Sequence, residues 1–306
     1  NRSVPGAYGL SPQSYILKNK GNNVFEIYAK ARFGMITDSK WADLNNDGLV
    51  ELVLAGDWMP ITIMSFTADG KFIDKTKHFG LGETNGMWNS IEITDLNNDG
   101  NLDIIAGNVG LNFKWKASED KPIKMYLDDF DDNEKLDQLI FYDFFGTYVP
   151  FASKDKLVEQ MPYLRKKYTD YNSFANLSSI SDLTDKSEDE IINIKYIYEL
   201  RSMMFFNDGA TFSSIPLPKQ AQLSTIEDVL IDGDNLVFTG NHNGYVTELG
   251  EASSNSGGIL NFSDIDNITY ESLKLPKGIR GRRIIKLNEN EYLTITNNGR
   301  SYKTNQ

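Results

Sequence analysis

The segment DLNNDGLVE occupies residues 43–51, and DLNNDGNLD occupies residues 95–103. A more divergent copy, DFDDNEKLD, occupies residues 129–137. Each copy has an acid at position 1, Asp or Asn at positions 3 and 5, and an acid at position 9. A short apolar run follows each copy, for example at residues 52–56 and 104–107, and such runs are typical of buried strands rather than helices. The three segments are therefore predicted to be acidic loops that lead into buried strands.

The spacing of the oxygen-bearing side chains predicts calcium binding. Ca²⁺ takes roughly six to eight oxygen ligands, and alternate side chains of a tightly curled loop can converge on one ion. The backbone carbonyl at position 7 can add another oxygen. The predicted ligands are Asp43, Asn45, Asp47, Leu49 and Glu51 in loop 1, Asp95, Asn97, Asp99, Asn101 and Asp103 in loop 2, and Asp129, Asp131, Asn133, Lys135 and Asp137 in loop 3.

Position 6 distinguishes the third loop from the first two. Gly48 and Gly100 can turn sharply at little steric cost, whereas loop 3 has Glu134 at this position. A non-glycine residue in a left-handed conformation costs about 1–2 kcal/mol. The third calcium site is therefore predicted to be the weakest of the three.

The EF-hand is the main competing interpretation, because it shares the first half of this spacing. It needs a bidentate Glu at position 12 and flanking helices. Position 12 is Leu54, Ala106 or Ile140, each within an apolar run, which excludes an EF-hand. Magnesium is disfavoured because it takes few protein ligands and retains water.

Further repeated features predict the fold class. Gly34-Met35 and Gly86-Met87 each stand nine residues before an acidic loop, and hairpin patterns lie at residues 66–72 and 206–212. Strand, loop, strand and hairpin together give a four-stranded antiparallel sheet, and such sheets repeated around an axis form a β-propeller. The prediction is an all-β fold: one β-propeller domain over residues 1–306 with about five blades, six or seven being the alternatives.

The predicted blades include one that the two chain ends share, which would leave no bare sheet edges. They lie at residues 34–76, 86–122, 123–217 and 221–273, with the fifth formed from residues 13–29 and 279–306. Residues 150–200 are charged and helix-like, with Ser153 as a helix start and a capping box at residues 187–190. This segment is predicted to be a small helical insertion within a blade, either a surface elaboration or a docking element.

Composition excludes several classes of function. A formal net charge of −12 and a pI of about 4.7 argue against nucleic acid as a partner. The chain has no cysteine and only two histidines, His78 and His242, so thiol chemistry is absent and a Ser-His-Asp site is poorly supplied. No apolar run reaches the length of a transmembrane helix, and no transmembrane segment is predicted.

The tryptophans and His242 are the other candidate functional residues. Trp41, Trp58, Trp88 and Trp115 suit either packing between sheets or a sugar-binding surface, and Trp58 is predicted to be the most exposed of them. His242 lies in a polar loop and is predicted to be a solvated loop residue, with a catalytic role as the alternative.

The acidic nonapeptides, the apolar strands that follow and the hairpins resemble FG-GAP and VCBS repeats, most sharply over residues 34–145. Such repeats form the propellers of integrin α-subunits and of many bacterial surface proteins. Residues 55–61, 106–112 and 150–155 look like bacterial FG-GAP proteins that often carry an ASPIC/UnbV segment. The resemblance implies an exported protein, extracellular or at the cell surface in association with the bacterial outer membrane, or periplasmic. Residues 231–236, where a fourth loop would fall, lack the ligand spacing.

These observations predict a calcium-stabilised binding or scaffold module for a protein or glycan partner. No catalytic residue is assigned. A polysaccharide-active enzyme, a lyase or glycosidase on a propeller scaffold, is the alternative, and it requires a pair of acids or a lyase base in one cleft. A third possibility is a subunit of an outer-membrane complex that docks through residues 150–200.

Overall fold

The computed structural model describes residues 1–67, 71–246, 248–289, 291–297 and 299–305. Strands account for 42% of the residues and helices for 10%, which confirms the predicted all-β class. The turn predicted at Asp69-Gly70 lies outside the described residues. Within the described ranges, no helix has both the length and the apolar character needed to cross a bilayer.

Twenty-two strands and four short α-helices make up the regular structure of the described residues. The strands of the first half are β1 (Ser14–Asn19), β2 (Phe25–Ala31), β3 (Met35–Ala42), β4 (Glu51–Met59), β5 (Thr62–Phe66), β6 (Phe72–Asp74), β7 (Gly86–Met87), β8 (Ser90–Thr94), β9 (Asp103–Gly107), β10 (Ile123–Asp128), β11 (Asp137–Phe144) and β12 (Thr147–Pro150). The helices are α1 (Lys154–Gln160), α2 (Leu164–Lys167), α3 (Tyr171–Ala175) and α4 (Ile180–Thr184). The remaining strands are β13 (Asn193–Ile197), β14 (Met203–Asn207), β15 (Phe212–Pro216), β16 (Ile226–Asp232), β17 (Asn235–Gly240), β18 (Gly257–Asn261), β19 (Thr269–Ser272), β20 (Gly281–Asn288), β21 (Glu291–Thr296) and β22 (Tyr302–Asn305).

These strands form six antiparallel sheets, and three of the sheets have four strands each. Sheet I has the order β3-β4-β5-β6, with β7 also paired to β4, and sheet II has the order β8-β9-β14-β15. Sheet III is β12-β11-β10-β13, sheet IV is β16-β17-β18-β19, and sheet V is β20-β21-β22. Strands β1 and β2 form a separate hairpin. Each acidic loop joins the same kind of pair: β3 to β4, β8 to β9, and β10 to β11.

The first strands of four sheets pack side by side: β3 contacts β8, β8 contacts β16, and β16 contacts β20. Two acids, the half-buried Asp38 and the buried Asp228, make two of these junctions in the same way. The backbone N–H of Ile91 donates to Asp38 Oδ2 at 3.0 Å, and that of Ile284 donates to Asp228 Oδ2 at 2.8 Å. Both acids directly follow an irregularity in strand register, and such bulges redirect a side chain. The same device therefore joins sheet I to sheet II and sheet IV to sheet V.

A small polar cavity lies among these four strands. It has a volume of about 180 Å³ and is lined by residues from each strand or its immediate neighbour, including Thr37, Asn89, Glu227 and Arg282. An apolar cluster lies between two of the sheets, where Val53 of sheet I meets Ile91 and Phe205 of sheet II.

The strand assignments predicted for residues 86–217 are wrong in one respect. In sheet II, β14 and β15 are the third and fourth strands. Strand β9 pairs with β14, with Ile104 opposite Phe205 and Ala106 opposite Met203. Residues 123–197 form sheet III, which is inserted between β9 and β14. The prediction failed because it paired strands that are adjacent in sequence, whereas the partner of β9 lies about a hundred residues downstream.

The shared fifth blade predicted for the chain ends is also not formed among the described residues. The hairpin β1–β2 pairs only within itself, and β20 pairs with β21, which pairs with β22. The C-terminal segment therefore supplies a third strand of its own, from Tyr302–Asn305, in place of a strand from the N-terminal hairpin.

The helices lie between β12 and β13, within residues 150–200, where the sequence predicts a helical insertion. The Ser153 side chain caps α1, and the capping box of Ser187 with Glu190 is present at a short 3₁₀ turn. Leu157, Met161 and Leu183 pack with Leu139 and Phe141 of sheet III in one buried cluster. The insertion therefore covers one face of sheet III and belongs to its hydrophobic core.

We expect the Asp228→Ala variant to be less stable than the wild type by about 1–3 kcal/mol, because a buried N–H of Ile284 loses its acceptor. Urea denaturation followed by circular dichroism measures this difference. Glu26→Ala is the control, since Glu26 is half exposed and its ion pair within the described part of the chain is with Lys20, and an exposed ion pair contributes less than about 1 kcal/mol. Equal effects of the two substitutions would contradict the assigned role of Asp228.

Candidate metal site: three acidic loops

The three acidic loops share one backbone conformation. Positions 4 and 6 are left-handed in every copy, with φ between 55° and 88°. The residues concerned are Asn46 and Gly48 in loop 1, Asn98 and Gly100 in loop 2, and Asp132 and Glu134 in loop 3. The third loop therefore reaches the same geometry as the others despite having a glutamate at position 6.

The acid at position 1 holds the turn together. In loop 1, Asp43 accepts hydrogen bonds from the backbone N–H groups of Asp47 and Gly48, at 3.1 and 2.8 Å. Asp95 and Asp129 accept the equivalent pairs of bonds, at 3.1 and 2.9 Å and at 3.0 and 2.7 Å. Two charge-assisted bonds to one carboxylate fix the curl of the loop, which brings the side chains at positions 1, 3 and 5 to its inner side.

The acid at position 9 is buried and closes the loop at the start of the second strand. Glu51, Asp103 and Asp137 are 3%, 0% and 5% exposed. One oxygen of each accepts the N–H of the residue at position 2, at 3.1, 2.8 and 3.1 Å. The other oxygen is bonded to Ser65 in loop 1, to the N–H of Asn207 in loop 2, and to Gln160 in loop 3.

Burial raises the pKa of Asp103 and of Asp137, and the hydrogen bonds to Asn207 and Gln160 only partly offset it. The cause is the loss of solvation of the charged form. A cation beside these carboxylates would favour that charged form. The buried acids at position 9 therefore fit the neighbourhood of a metal ion.

Positions 5 and 7 orient the middle of each loop. The N–H groups of Leu49, Asn101 and Lys135 donate to the side chain at position 5, at 2.8, 2.8 and 2.9 Å. This bond lowers the pKa of Asp99. The peptide at position 7, whose carbonyl is a predicted ligand, is thereby tied to the side chain at position 5.

Loop 3 differs from the others at position 3. In loop 1 the Asn45 amide donates to Asp47 at 3.0 Å, and in loop 2 the Asn97 amide donates to Asp99 at 2.9 Å. Loop 3 has Asp131 instead, and its Oδ1 is buried without a hydrogen-bond partner among the described residues. One carboxylate oxygen each from Asp129, Asp131 and Asp137 lies within 4.8 Å of the others. Three converging carboxylates and an orphaned oxygen are a donor set that suits Ca²⁺.

Loops 1 and 2 are held together by residues that the sequence did not single out. The Asn46 amide donates to Asn101 Oδ1 at 3.2 Å. The buried Asn207 amide donates to the carbonyls of Leu44 and Leu102, at 2.6 and 3.2 Å. Asn207 belongs to the hairpin pattern at residues 206–212, but the pattern indicates only a turn and gives no sign that its asparagine bridges two distant loops.

The tryptophan expected to be most exposed is buried. Trp58 is 2% exposed, and Trp88 and Trp115 are similarly buried. Trp41, by contrast, is 49% exposed. Trp58 is the penultimate residue of β4 and has a φ of 57°. Its ring packs against Trp115 and belongs to the same buried cluster as Met35 and Met87. The position of Trp58 after Gly56-Asp57 suggested exposure, but strand β4 continues through this position.

His242 is not the solvated loop residue that the sequence suggested. Its Nδ1 lies 2.6 Å from Glu227 Oε1, its ring packs on Tyr245 at 4.3 Å, and its side chain is 24% exposed. Arg282 binds the other oxygen of Glu227. This contact could not be predicted from sequence spacing, because Glu227 lies on β16, away from His242 in the sequence.

We expect Glu134→Gly to stabilise the protein in calcium-free buffer by about 0.5–1 kcal/mol. Relief of the left-handed backbone is worth about 1–2 kcal/mol, and the added freedom of the unfolded chain removes about 0.4–1 kcal/mol of that gain. Chemical denaturation measures the change. Glu134→Ala removes the same side chain without relieving the backbone, and a gain of equal size in this variant would contradict the explanation.

Comparison with known families places the first two loops in one repeat. Residues 43–106 match the FG-GAP-like repeat, a stretch that begins at the first acid of loop 1, includes loop 2 and ends in β9. No curated protein matches the chain at a significant level. The chain therefore contains an FG-GAP-like repeat, and the matched stretch includes the first two of three loops with the same geometry.

Proposed function

We propose that this protein is a calcium-stabilised binding or scaffold module with a propeller-like arrangement of sheets. The observation that carries the proposal is the recurrence of one loop, with one set of internal hydrogen bonds, between the first and second strands of three sheets. The same carboxylate and amide groups recur in all three turns. A ligand that binds to each of the three turns explains this recurrence. Hard oxygen donors of this number and charge favour Ca²⁺.

The proposed role of the ion is structural. Each loop carries three carboxylates at its predicted ligand positions, and in loop 3 they converge. Their mutual repulsion opposes the fold until a cation compensates it. The loops lie at strand junctions, so an ion would fix the angle at which two neighbouring strands leave the turn. If the affinity resembles that of extracellular modules, with Kd on the order of 10⁻⁴–10⁻³ M, each site adds roughly 0.4–1.4 kcal/mol at millimolar calcium.

Sites of this assumed affinity would fill only where calcium is millimolar, as it is outside the cytoplasm, so the calcium proposal and an extracytoplasmic location stand together. We therefore propose an extracellular, cell-surface or periplasmic protein, with a protein or glycan as its partner. The helical segment of residues 150–200 is the proposed docking element. Since it also covers the core of sheet III, point substitutions on its outer side test docking better than its removal does.

The enzymatic alternative has less support from the geometry. A glycosidase needs two carboxyl groups free to act on one bond. The two carboxylates that line the largest cavity are both in ion pairs: Asp57 with Arg2, and Glu248 with Lys156. A binding role needs no such free pair.

We expect millimolar CaCl₂ to raise the melting temperature of the chelator-treated protein and titration calorimetry to show three bound calcium ions. The reason is that each ion binds the folded loop and relieves its carboxylate repulsion. MgCl₂ at the same concentration controls for ionic strength and is expected to give a smaller shift. Identical melting curves with and without calcium would overturn the proposal.

A matched pair of substitutions tests the ligand assignment within loop 3. Asp131→Asn removes a charge from the proposed ligand set, whereas Asp132→Asn removes the same charge one residue away and restores the asparagine that loops 1 and 2 have at position 4. We expect Asp131→Asn to weaken one calcium site by about tenfold and Asp132→Asn to weaken it far less. Equal losses would mean that the loop attracts the ion only through its net charge.

A further inference from the structure

A large cavity lies beside loop 3, and none of the predicted metal ligands lines it. It has a volume of about 740 Å³ and is lined by the end of β4, by β11, by α1 and by residues from the ranges 242–246 and 248–249. Cavities of about 300–1,000 Å³ are typical of sites for small organic ligands. Its lining is mainly apolar, with Trp58, Trp115, Leu139, Phe151 and Tyr245 among the contributing residues.

The aromatic side chains that form the cavity wall pack against one another. Trp115 packs edge-on against Trp58 at 6.3 Å, against Phe113 at 5.7 Å and against Phe151 at 5.0 Å, and Phe113 in turn packs on Tyr245 at 5.0 Å. Edge-to-face contacts at these distances are favourable. The walls therefore hold their shape in the absence of a ligand, which lowers the cost of binding one.

Two buried polar atoms in the lining have no partner among the described residues: Trp115 Nε1 and Glu248 Oε2. Trp115 is 3% exposed, and an unmade hydrogen bond of this kind costs about 1–3 kcal/mol. The other charged groups of the lining are already paired: Arg2 with Asp57 at 3.0 Å, and Lys156 with the second oxygen of Glu248. Among the described residues of the lining, the cavity thus offers a buried donor and a buried acceptor that have no partner, and the cations Arg2 and Lys156 are paired.

The backbone at the cavity wall carries strain. Trp58 has a φ of 57°, and a bulky residue in this region costs about 1–3 kcal/mol. That conformation turns the Trp58 ring onto Trp115. Strain of this kind is concentrated at binding sites, so it is a second observation, independent of the unpartnered atoms, at the same place.

We propose that this cavity binds a neutral, largely apolar ring compound whose polar group accepts a hydrogen bond from Trp115 and donates one to Glu248. A hydroxyl group on an aromatic or alicyclic ring meets both needs. Because the charged side chains are paired with each other, a ligand with its own charge would have to break an existing ion pair. The inference does not depend on calcium, since none of the predicted metal ligands lines the cavity.

Occupancy is tested with the fluorescent probe N-phenyl-1-naphthylamine. We expect saturable binding of one probe per chain, with energy transfer from tryptophan because two tryptophans line the cavity. Ala152→Phe places a ring inside the cavity and is expected to weaken binding by at least about tenfold. Ala175→Phe, the same change at an exposed position on α3, is expected to leave binding within about twofold.

Melting curves accompany both variants, so that a loss of binding is credited only to a folded protein. If Ala152→Phe does not fold, displacement of the probe from the wild type, described next, is the deciding measurement. Unsaturable probe binding to the wild type, or equal affinities in two folded variants, would overturn the proposal.

The polar part of the proposal is tested by displacing the probe with 1-naphthol and with naphthalene, which differ by one hydroxyl group. We expect the wild type to prefer 1-naphthol by about twentyfold, the size of two buried hydrogen bonds of about 1 kcal/mol each. In Trp115→Phe, which keeps a ring but loses the N–H, the preference is expected to fall to about fivefold, the size of the remaining bond to Glu248. Equal displacement by the two compounds in the wild type, or an unchanged preference in Trp115→Phe, would contradict it.

Discussion

The structure depends on a carboxylate that binds the backbone of its own turn. At position 1 of each acidic loop the side chain accepts two consecutive N–H groups, and at position 9 a buried acid accepts the N–H of position 2. These bonds close the loop at both ends, so the chain leaves one strand and enters the next in a fixed register. The same arrangement places the remaining oxygens on the inner side of the turn. The strand connection and the proposed cation site are therefore the same segment of chain.

Carboxylates also join neighbouring sheets to each other. Asp38 and Asp228 each reach across a junction between sheets to accept a backbone N–H of the neighbouring first strand. Because each acid follows a bulge, its side chain leaves the plane of its own sheet and reaches the next. Acidic side chains of this chain thus accept backbone hydrogen bonds both in the loops and between sheets.

The sequence predicted the parts of the structure that are encoded locally. The ligand spacing located all three loops, and the apolar runs after Glu51 and Asp103 located the buried strands. The partner of β9 was not predictable, because nothing near Ile104 in sequence indicates pairing with Phe205. Asp38 and Asp228 look like ordinary polar residues in a strand, and only the neighbouring strand reveals their role. Trp58 was misjudged for the same reason, since its burial depends on Trp115, which is far from it in sequence.

Loop 3 and the large cavity share structural elements. Strand β11 begins at Asp137 in the loop and carries Leu139 and Ile140 into the cavity wall. The Gln160 amide, at the end of α1, donates to Asp137 at 2.8 Å, and Gln160 also lines the cavity. Asp137 receives this bond on one oxygen and the Phe130 N–H on the other, so the end of α1 and the start of β11 are joined at a carboxylate of loop 3. The helical insertion therefore contacts the acidic loop and also contributes to the wall of the aromatic cavity.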